Sequence, residues 1–307
     1  MGTMSELTSE NQPEIDILLP FYGDVALMRE AVHSVLAQDT GGWRLTVVDD
    51  GDAEGVPEWF DSLADERVRY FRNPRNLGVT GNFQRCLELA EYERVTLLGT
   101  DDLLAPNYVR TVRAAAARHE GIGMIQPGVE VIDEHGEPAT GLADAVKHRI
   151  YAPRVREELV LGGEPLAASL LRGNWLYFPS LSWRTEAITA IGFRSDLRTT
   201  QDLALELDLI ERGERLLVLT EACFKYRRHG ASVSSTMATD GDRFREERAL
   251  FQETARRFGA LGWRKAARAA RVHSGSRLHA LTQVPGAALG KDRAVLGTLL
   301  RHAVTNR

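Results

Sequence analysis

The sequence has little cysteine, since Cys86 and Cys223 are the only two among 307 residues. Two cysteines so far apart provide neither a disulfide framework nor the paired spacing of a zinc site, and they predict the reduced thiols of a cytoplasmic protein. No apolar run approaches the roughly 20 residues that cross a bilayer, and residues 1–14 are too polar for a secretory signal. We therefore expect a cytoplasmic protein without a membrane-spanning helix.

Two glycine-rich nucleotide motifs are also missing. No G-x-G-x-x-G follows the first apolar run, residues 15–20, and the chain has no phosphate-binding loop of the P-loop type. Residues 20–28, PFYGDVALM, lack the glycine-rich basic loop that is typical of nucleotidyltransferases. These absences argue against an NAD-dependent enzyme and against a P-loop nucleotide-hydrolysing enzyme.

Charge is distributed unevenly along the chain. The overall formal charge is −5, yet residues 241–307 hold 14 Lys or Arg against 5 Asp or Glu, a surplus of +9. Apolar and basic residues recur there at helical spacing, which predicts amphipathic helices. We expect these helices to pack on the acidic body or to form a homodimer, with peripheral contact to the inner face of a membrane as the alternative. We expect no nucleic-acid partner. The apolar positions are Phe244, Leu250, Phe251, Ala255, Phe258 and Leu261, and the basic positions are Arg243, Arg256, Arg257, Arg264, Lys265, Arg268 and Arg271.

Short apolar runs alternate with helical patterns through the first hundred residues. This alternation predicts an α/β fold with a mainly parallel sheet flanked by helices, because crossover helices of this length join parallel strands. Ligands of such sheets bind beyond the carboxyl ends of the strands. The predicted strands are 15–20, 44–51, 68–74 and 94–102, and the predicted helices are 27–38, 56–64 and 81–90.

Polar clusters stand at the carboxyl ends of all four predicted strands. Pro20 to Tyr22 follow the first strand, Asp49 and Asp50 the second, residues 73–76 the third, and Asp101 and Asp102 the fourth. Adjacent carboxylates repel each other, so a pair at the end of an apolar run needs a cation or solvent. The fourth cluster is therefore a candidate metal or diphosphate site, or alternatively a cap for a helix that starts near Pro106.

The ordered motifs of the first half resemble the family 2 glycosyltransferases, which have the GT-A fold. The P-F-Y-G of residues 20–23, S-V-L-A-Q of 34–38, V-V-D-D-G of 47–51 and N-P-R-N-L-G-V-T-G-N of 73–82 match the family's signatures. The G-T-D-D of 99–102 aligns with its D-x-D-D motif, with glycine in place of the first aspartate. The resemblance implies a nucleoside-diphosphate sugar donor of the UDP, dTDP or GDP type and a divalent cation, Mn²⁺ or Mg²⁺.

The resemblance continues through the second half to about residue 230. Residues 173–193 look like the family's acceptor-side segment, and residues 199–213 resemble the start of the helix that carries the catalytic base, which places Asp202 on the base. Thr199 and Asp202 also have the spacing of a capping box, which needs no catalysis. The K-Y-R-R-H-G of 225–230 matches a basic motif near the diphosphate, or alternatively forms an exposed basic strand end.

The resemblance assigns a set of site residues. For the nucleotide these are Pro20, Phe21, Tyr22, Asp24, Asp50, Arg75, Asn76, Gly78, Asn82, Thr100 and Asp101. For the metal they are Asp101, Asp102 and His229, for the acceptor or diphosphate they are Trp175, Arg227 and Arg228, and for the catalytic base it is Asp202.

The predicted organisation is a GT-A catalytic domain over residues 14–235 and a basic helical extension over 236–307. Within the domain we expect residues 14–105 to bind the nucleotide and residues 106–235 to bind the acceptor. The resemblance implies an inverting enzyme that transfers sugar to an acceptor hydroxyl. The Q-x-x-R-W motif of processive synthases is missing, which argues for one sugar per turnover. The alternatives are an inactive relative that binds sugar nucleotides, a nucleotidyltransferase of similar fold, and a glycosidase.

Overall fold

Strands and helices account for most of the residues that the computed structural model describes, which are 14–139, 150–228 and 242–273 with the single positions 277, 284 and 297. The strands are β1 Ile15–Phe21, β2 Trp43–Asp49, β3 Val68–Arg72, β4 Arg94–Leu97, β5 Leu103–Leu104, β6 Met124–Ile132, β7 Glu158–Gly162, β8 Ser182–Arg184 and β9 Arg215–Arg227. The helices are α1 Val25–Leu36, α2 Val56–Leu63, α3 Gly78–Glu88, α4 Tyr108–Arg118, α5 Gly163–Arg172, α6 Thr185–Thr189, α7 Gln201–Glu211, α8 Asp242–Ala260 and α9 Arg264–Val272. A 3₁₀ turn covers Phe178–Ser180.

The described strands form one sheet in the order β3-β2-β1-β4-β8-β6-β9-β5, with β7 paired to β9. Strands β3, β2, β1 and β4 are parallel, and β6 is parallel to β9. Strand β8 is antiparallel to β4 and to β6, and β5 and β7 are antiparallel to β9. The predicted α/β class is confirmed, and every antiparallel pair among the described strands includes β8 or β9 of the second half of the chain.

Helices cover both faces of the sheet, which explains the near-continuous apolar runs of the central strands. Leu18 and Val48 belong to one buried apolar cluster, whereas Ile17 and Val47 belong to another. Successive residues of a strand point to opposite faces, so these clusters lie on the two sides of the sheet. The carboxyl ends of the parallel strands stay uncovered by this packing and form the rim on which the site is built.

The helices α8 and α9 pack on the body rather than standing apart from it. Leu250, Phe251, Ala255 and Phe258 are buried in the same apolar cluster as residues of α5 and α7. The alanines of α9 complete this cluster, while its basic residues lie on the opposite, exposed face. Leu261 departs from the predicted apolar stripe, because it is 51% exposed in the turn between the two helices. The side chains of Arg243 and Phe244 lie outside the described residues.

The two capping alternatives are wrong in detail. Helix α4 begins at Tyr108 after Asn107, which makes no side-chain cap, and neither Asp101 nor Asp102 reaches it. Helix α7 begins after Thr200, whose side chain likewise does not cap the helix. Within the described part of the chain, every helix is too short or too polar to cross a membrane.

Candidate active site

The carboxyl ends of β1 and β2 begin the rim. The backbone N–H of Asp50 donates to the carbonyl of Phe21 at 2.8 Å, which ties the two strand ends together. The Phe21 side chain is buried in the core, so only its backbone reaches the rim. The neighbouring Tyr22 is 68% exposed, and its Cδ2 lies 3.8 Å from the point where a Cβ on Gly51 would lie. An exposed ring beside open backbone suits stacking on a nucleoside base.

Asp50 organises the loop that precedes α3. Its Oδ1 accepts from Asn73 Nδ2 and from the N–H of Leu77, each at 2.8 Å, and its Oδ2 accepts from the N–H of Gly78 at 2.9 Å. Its carbonyl accepts from Asn76 Nδ2 at 2.9 Å. A carboxylate that accepts three such bonds holds the loop in one conformation, so Asp50 positions the rim at least as much as it contacts a ligand.

Gly78 and Asn82 fix the start of α3 against β2. Gly78 has φ +72°, a left-handed conformation that favours glycine, and its N–H also donates to Asn76 Oδ1 at 2.9 Å. The buried Asn82 donates from Nδ2 to the carbonyl of Val48 at 3.0 Å and accepts from Asn73 Nδ2 at 3.0 Å. Gly78 therefore supports the loop through its own N–H, and Asn82 supports it through the side chain of Asn73.

Asp24 and Arg75 differ sharply in what they contact. Asp24 caps α1, because its Oδ1 accepts from the N–H groups of Ala26 at 2.7 Å and Leu27 at 3.2 Å. Arg75 is exposed at the tip of the loop, and among the described residues it forms no hydrogen bond or ion pair. A nucleotide role for Asp24 stays a prediction that competes with this cap, whereas Arg75 is available to an anion.

The turn after β4 brings two carboxylates together. Thr100 Oγ1 donates to the carbonyl of Pro20 at 3.1 Å, which joins this turn to the end of β1. A Cβ placed on Gly99 would overlap Asp102 Oδ2 and would lie 3.3 Å from Asp101 Oδ1. The carboxylate of Asp102 therefore occupies the space that the family's first aspartate would need. Glycine at position 99 is what lets both carboxylates converge there.

Asp102 is the more buried of the pair. Its Oδ1 accepts from the N–H of Arg227 at 2.9 Å. Burial and the neighbouring negative charge of Asp101 raise the pKa of Asp102 well above its ordinary value, against the opposing effect of Arg227. Two adjacent carboxylates with such an electrostatic penalty are typical of a site that a cation completes.

The structure gives Arg227 a role that the sequence did not predict. Its guanidinium is buried and donates from Nε to the Asp101 carbonyl at 2.9 Å, from Nη1 to the Glu134 carbonyl at 3.1 Å, and from Nη2 to Glu30 Oε2 at 2.6 Å. These bonds join β9, the Asp101–Asp102 turn and α1. Direct binding of the diphosphate by Arg227 stays a prediction that would require some of them to be exchanged, whereas Arg228 is exposed.

Asp202 lies in the first turn of α7, where the helix dipole favours a negative charge. The start of this helix is tied to α3: Thr80 Oγ1 donates to the Leu197 carbonyl at 3.0 Å and contacts Gln201 Oε1 at 2.8 Å. Thr80 lies in α3, and Asp50 holds the loop that leads into α3. The first turn of α7 therefore contacts the predicted nucleotide-binding half. The candidate base therefore stands beside the rim.

Trp175 is buried, and its Nε1 donates to Ser169 Oγ at 3.1 Å. It also lines a cavity of about 360 Å³ together with Tyr177 and residues of β6 and β9. Tyr177 packs against Tyr226 with ring centroids 5.1 Å apart, and Tyr226 precedes Arg227. Trp175 therefore lines this cavity, and its contact with an acceptor stays a prediction.

The third metal ligand expected from the sequence, His229, lies outside the described residues. Within the described ranges, no group of three or more His, Cys, Asp or Glu side chains is arranged to hold a metal ion. Metal binding by Asp101 and Asp102 therefore stays a prediction.

Comparison with known proteins gives the family to which the first half of the chain is similar. The sequence matches the family model described as Glycosyl transferase family 2 over residues 16–158, which include the loop 73–78 and the Asp101–Asp102 turn. Residues 16–158 are a domain of glycosyl transferase family 2. This glycosyltransferase is 26% identical over 249 residues to an uncharacterised protein of Mycobacterium tuberculosis, covering 78% of the chain and 75% of that relative.

Two other relatives of the glycosyltransferase have named pathways. It is 32% identical over 100 residues to the putative colanic acid biosynthesis glycosyl transferase WcaA of Escherichia coli, covering 32% of the chain and 36% of WcaA. It is 21% identical over 226 residues to the putative teichuronic acid biosynthesis glycosyltransferase TuaG of Bacillus subtilis, covering 73% of the chain and 82% of TuaG.

Solved structures confirm the GT-A fold of the glycosyltransferase. S. aureus TarS in complex with UDP-GlcNAc superposes with a TM-score of 0.60 at 16% identity, covering 78% of this chain and 66% of that one. The mannosyltransferase PcManGT of Pyrobaculum calidifontis, in complex with GDP-Man and Mn²⁺, superposes with a TM-score of 0.55 at 15% identity, covering 96% and 87%. The predicted family, fold and enzyme class are confirmed.

Glu246 contacts the start of α7, and no sequence pattern predicts this contact. This residue of α8 lies in the basic segment, yet its carboxylate accepts from the N–H groups of Arg198, Thr199 and Thr200 just before α7. No motif marks it, because the contact joins residues more than 40 positions apart.

Proposed function

We propose that the glycosyltransferase moves one sugar, with inversion, from a nucleoside-diphosphate sugar to an acceptor hydroxyl during the synthesis of a cell-surface polysaccharide or another glycoconjugate. The observation that carries this proposal is a series of contacts. Thr100 joins the Asp101–Asp102 turn to Pro20, Asp50 joins the end of β1 to the loop 73–78, and α3, which follows that loop, contacts the first turn of α7. The names of WcaA and TuaG support the polysaccharide. The complexes of TarS and PcManGT support a UDP or GDP sugar as donor.

The nucleotide half supplies an aromatic face and a cation. Tyr22, 68% exposed beside Gly51, stacks on the base. Arg75 at the tip of the loop 73–78 reaches the diphosphate, because it is exposed and has no ion pair among the described residues. Arg228, at the exposed end of β9, neutralises the leaving diphosphate from the other side of the rim.

The carboxylates of Asp101 and Asp102 fit a divalent cation. Carboxylate oxygens are the ligands that Mg²⁺ and Mn²⁺ prefer, and Mg²⁺ is commonly held by one or two carboxylates together with substrate phosphates. The two carboxylates converge beside Gly99, and the charge of Asp101 helps to raise the pKa of Asp102. A bound cation would offset this repulsion. When bound, the ion neutralises charge that develops on the diphosphate.

Asp202 takes the proton of the acceptor hydroxyl. A hydroxyl is a poor nucleophile until a base removes its proton, and Asp202 is kept beside the rim by the contact of Gln201 and Thr80. A single carboxylate opposite the leaving group gives direct displacement and inversion. The acceptor enters from the side of the cavity lined by Trp175 and Tyr177.

The test is nucleotide binding, measured by thermal shift with UDP, dTDP and GDP in Mn²⁺, Mg²⁺ or EDTA. We expect one nucleotide to raise Tm in the presence of the metal, and Asp101→Ala to remove the metal-dependent part of this shift while leaving the fold intact. Asp61→Ala, which removes an exposed carboxylate of α2, is the control and should behave like the parent. Equal shifts in EDTA, in Mn²⁺ and in Asp101→Ala would contradict the metal role.

We also propose that the outer face of α9 makes peripheral contact with an anionic membrane. The alanines of this helix are buried, so the exposed face consists of Arg264, Lys265, Arg268 and Arg271. The exposed apolar side chains of Leu261 and Val272 flank it at the two ends. Cationic residues with apolar flanks are typical of a helix that lies on anionic lipid headgroups.

A further inference from the structure

Helix α8 belongs to the basic C-terminal segment, and its residue Glu246 binds residues 198–200, which lead into α7. Glu246 Oε1 accepts from the N–H of Thr199 and of Thr200, each at 2.8 Å, and from both of their hydroxyls at 2.9 Å. Its Oε2 accepts from the N–H of Arg198 at 2.9 Å. A single side chain thus fixes three consecutive peptide groups directly before α7.

Glu246 is ionised in this position. Burial acts to raise its pKa, but the N–H groups of Arg198, Thr199 and Thr200 outweigh burial, so that the pKa lies below its ordinary value. A negative charge at the start of α7 also interacts favourably with the helix dipole. Since Thr200 does not cap the helix with its own side chain, the anchor for this helix start comes from α8.

Two further contacts hold α8 along the same region. Arg194 forms a bidentate pair with Glu253 of α8, at 2.9 and 3.0 Å. Arg257 of α8 pairs with Asp208 at 2.5 Å and with Glu211, both on α7. These contacts keep α8 in place, and Glu246 contacts residues 198–200, which lie just before Asp202 in the chain.

We infer that Glu246 is a positioning residue for Asp202, so that the C-terminal segment is part of the catalytic site. The inference rests on the proposed function of Asp202 as the base. The carboxylate of a base must stand within hydrogen-bonding reach of the acceptor hydroxyl, and a displacement of about 1 Å can lower a rate by about 100-fold. By holding residues 198–200, Glu246 sets the direction in which the first turn of α7 presents Asp202.

The test is a double-mutant cycle of sugar transfer with Glu246→Gln and Asp202→Asn. We expect Glu246→Gln to lower kcat by about 10–100-fold with little change in the KM for the donor. Both oxygens of Glu246 accept from N–H groups, and the NH₂ group of glutamine cannot accept, so residues 198–200 lose part of their anchor. In the Asp202→Asn background the same substitution should lower kcat by less than about 3-fold, since it acts through the base. Glu246→Asp, which keeps the charge, should recover part of the rate.

The control is Glu253→Gln, which removes the other carboxylate of α8 that anchors it to the body, but leaves residues 198–200 untouched. It should lower Tm measurably while kcat stays within about 3-fold of the parent. An equal fall in kcat from Glu246→Gln in both backgrounds, or from both α8 variants, overturns the inference. If Glu246→Gln does not fold, Thr199→Ala, which removes one hydroxyl donor and no charge, takes its place in the cycle.

The cycle separates this inference from the proposed function. If Asp202→Asn alone transfers sugar at nearly the parental rate, the base assignment fails, and the positioning role fails with it. If Asp202→Asn is slow but Glu246→Gln is not, only the positioning role fails.

Discussion

Gly99 shows how one residue can change the way in which a motif is satisfied. The family's motif has aspartate there, and the sequence alone indicates a lost carboxylate. In the structure, Asp102 Oδ2 occupies the space where a Cβ at position 99 would stand. The carboxylate is therefore supplied from a different position of the same turn, and the N–H of Arg227 holds it there.

This arrangement predicts that restoring the family's residue impairs the protein. Gly99→Asp should lower the metal-dependent nucleotide affinity by about 10-fold or more, because overpacking of this kind costs about 1–3 kcal/mol and adds a third negative charge. Isothermal titration with the preferred nucleotide and Mn²⁺ measures it. Gly41→Ala, at a glycine with open space around it, is the control. Tighter binding by Gly99→Asp would show that the space is available after all.

At the scale of elements, the pattern of the first hundred residues predicted the strands and helices well. Strand β1 begins at Ile15 as expected and α2 spans Val56–Leu63, because each has a local signal: an apolar run for the strand, and Pro57 in the first turn of the helix. The bonds of Asp50 to Leu77 and Gly78 could not be read from the sequence, although both the acidic turn and the loop were identified as site segments. Their pairing is a long-range contact without a local signal.

The second half was harder to predict for the same reason. Strand β9 pairs with β5, β6 and β7, so its neighbours are set by residues far away in the chain. The basic motif at its end indicated a diphosphate site, yet Arg227 turned inward to Glu30, Asp101 and Glu134, because its partners come from three other segments. The contact of Glu246 with residues 198–200 also joins distant parts of the chain, so no local pattern predicts it.

The contacts of α8 predict a specific pH dependence. Hydrogen bonding to Arg194 lowers the pKa of Glu253 below its ordinary value of 4.5, against the effect of burial. A carboxyl group whose pKa is lower in the folded state stabilises the protein above its unfolded pKa, and this contribution is lost as the pH falls through the folded value. Glu253→Gln should therefore cost about 0.5–1 kcal/mol near pH 7, and this cost should decrease as the pH falls below 4.5.

Urea unfolding of the parent and of Glu253→Gln across this range measures the effect. Arg85 and Glu88, an exposed pair on α3, provide the control, since Glu88→Gln should change the free energy of unfolding by less than about 0.5 kcal/mol at any pH. A difference between Glu253→Gln and the parent that stays constant down to pH 3 would contradict the assignment.

At the scale of the whole molecule, the described part of the basic segment has a buried apolar face and an exposed cationic face. Its inner face, which includes Leu250, Phe251 and Phe258, completes the core against α5 and α7, and Glu246 reaches the site. Its outer face on α9 is cationic and exposed. The sequence predicted packing on the body, with membrane contact as the alternative, and the two are compatible because they involve opposite faces of the segment formed by α8 and α9.

Vesicle flotation tests the outer face. Vesicles rich in anionic phospholipid should carry the parent to the top of a gradient at low salt. Replacing Arg264, Lys265, Arg268 and Arg271 by Gln should weaken this binding by more than about 100-fold, since each basic residue near such a surface contributes about 1 kcal/mol. Replacing Arg154 and Arg156, two exposed arginines of the body, should have little effect. Flotation that survives the α9 substitutions, or occurs equally with neutral vesicles, would contradict the membrane contact.

The most direct measurement of the central claim is the rate of sugar transfer by Asp202→Asn. The amide keeps the size of the side chain but cannot take a proton, so the variant should fold and bind nucleotide like the parent while transferring sugar about 10²–10⁴-fold more slowly. Asp196→Asn, at an exposed aspartate paired with Arg194, should transfer within about 3-fold of the parent. A folded Asp202→Asn that transfers sugar at nearly the parental rate would contradict both the base and the inverting geometry.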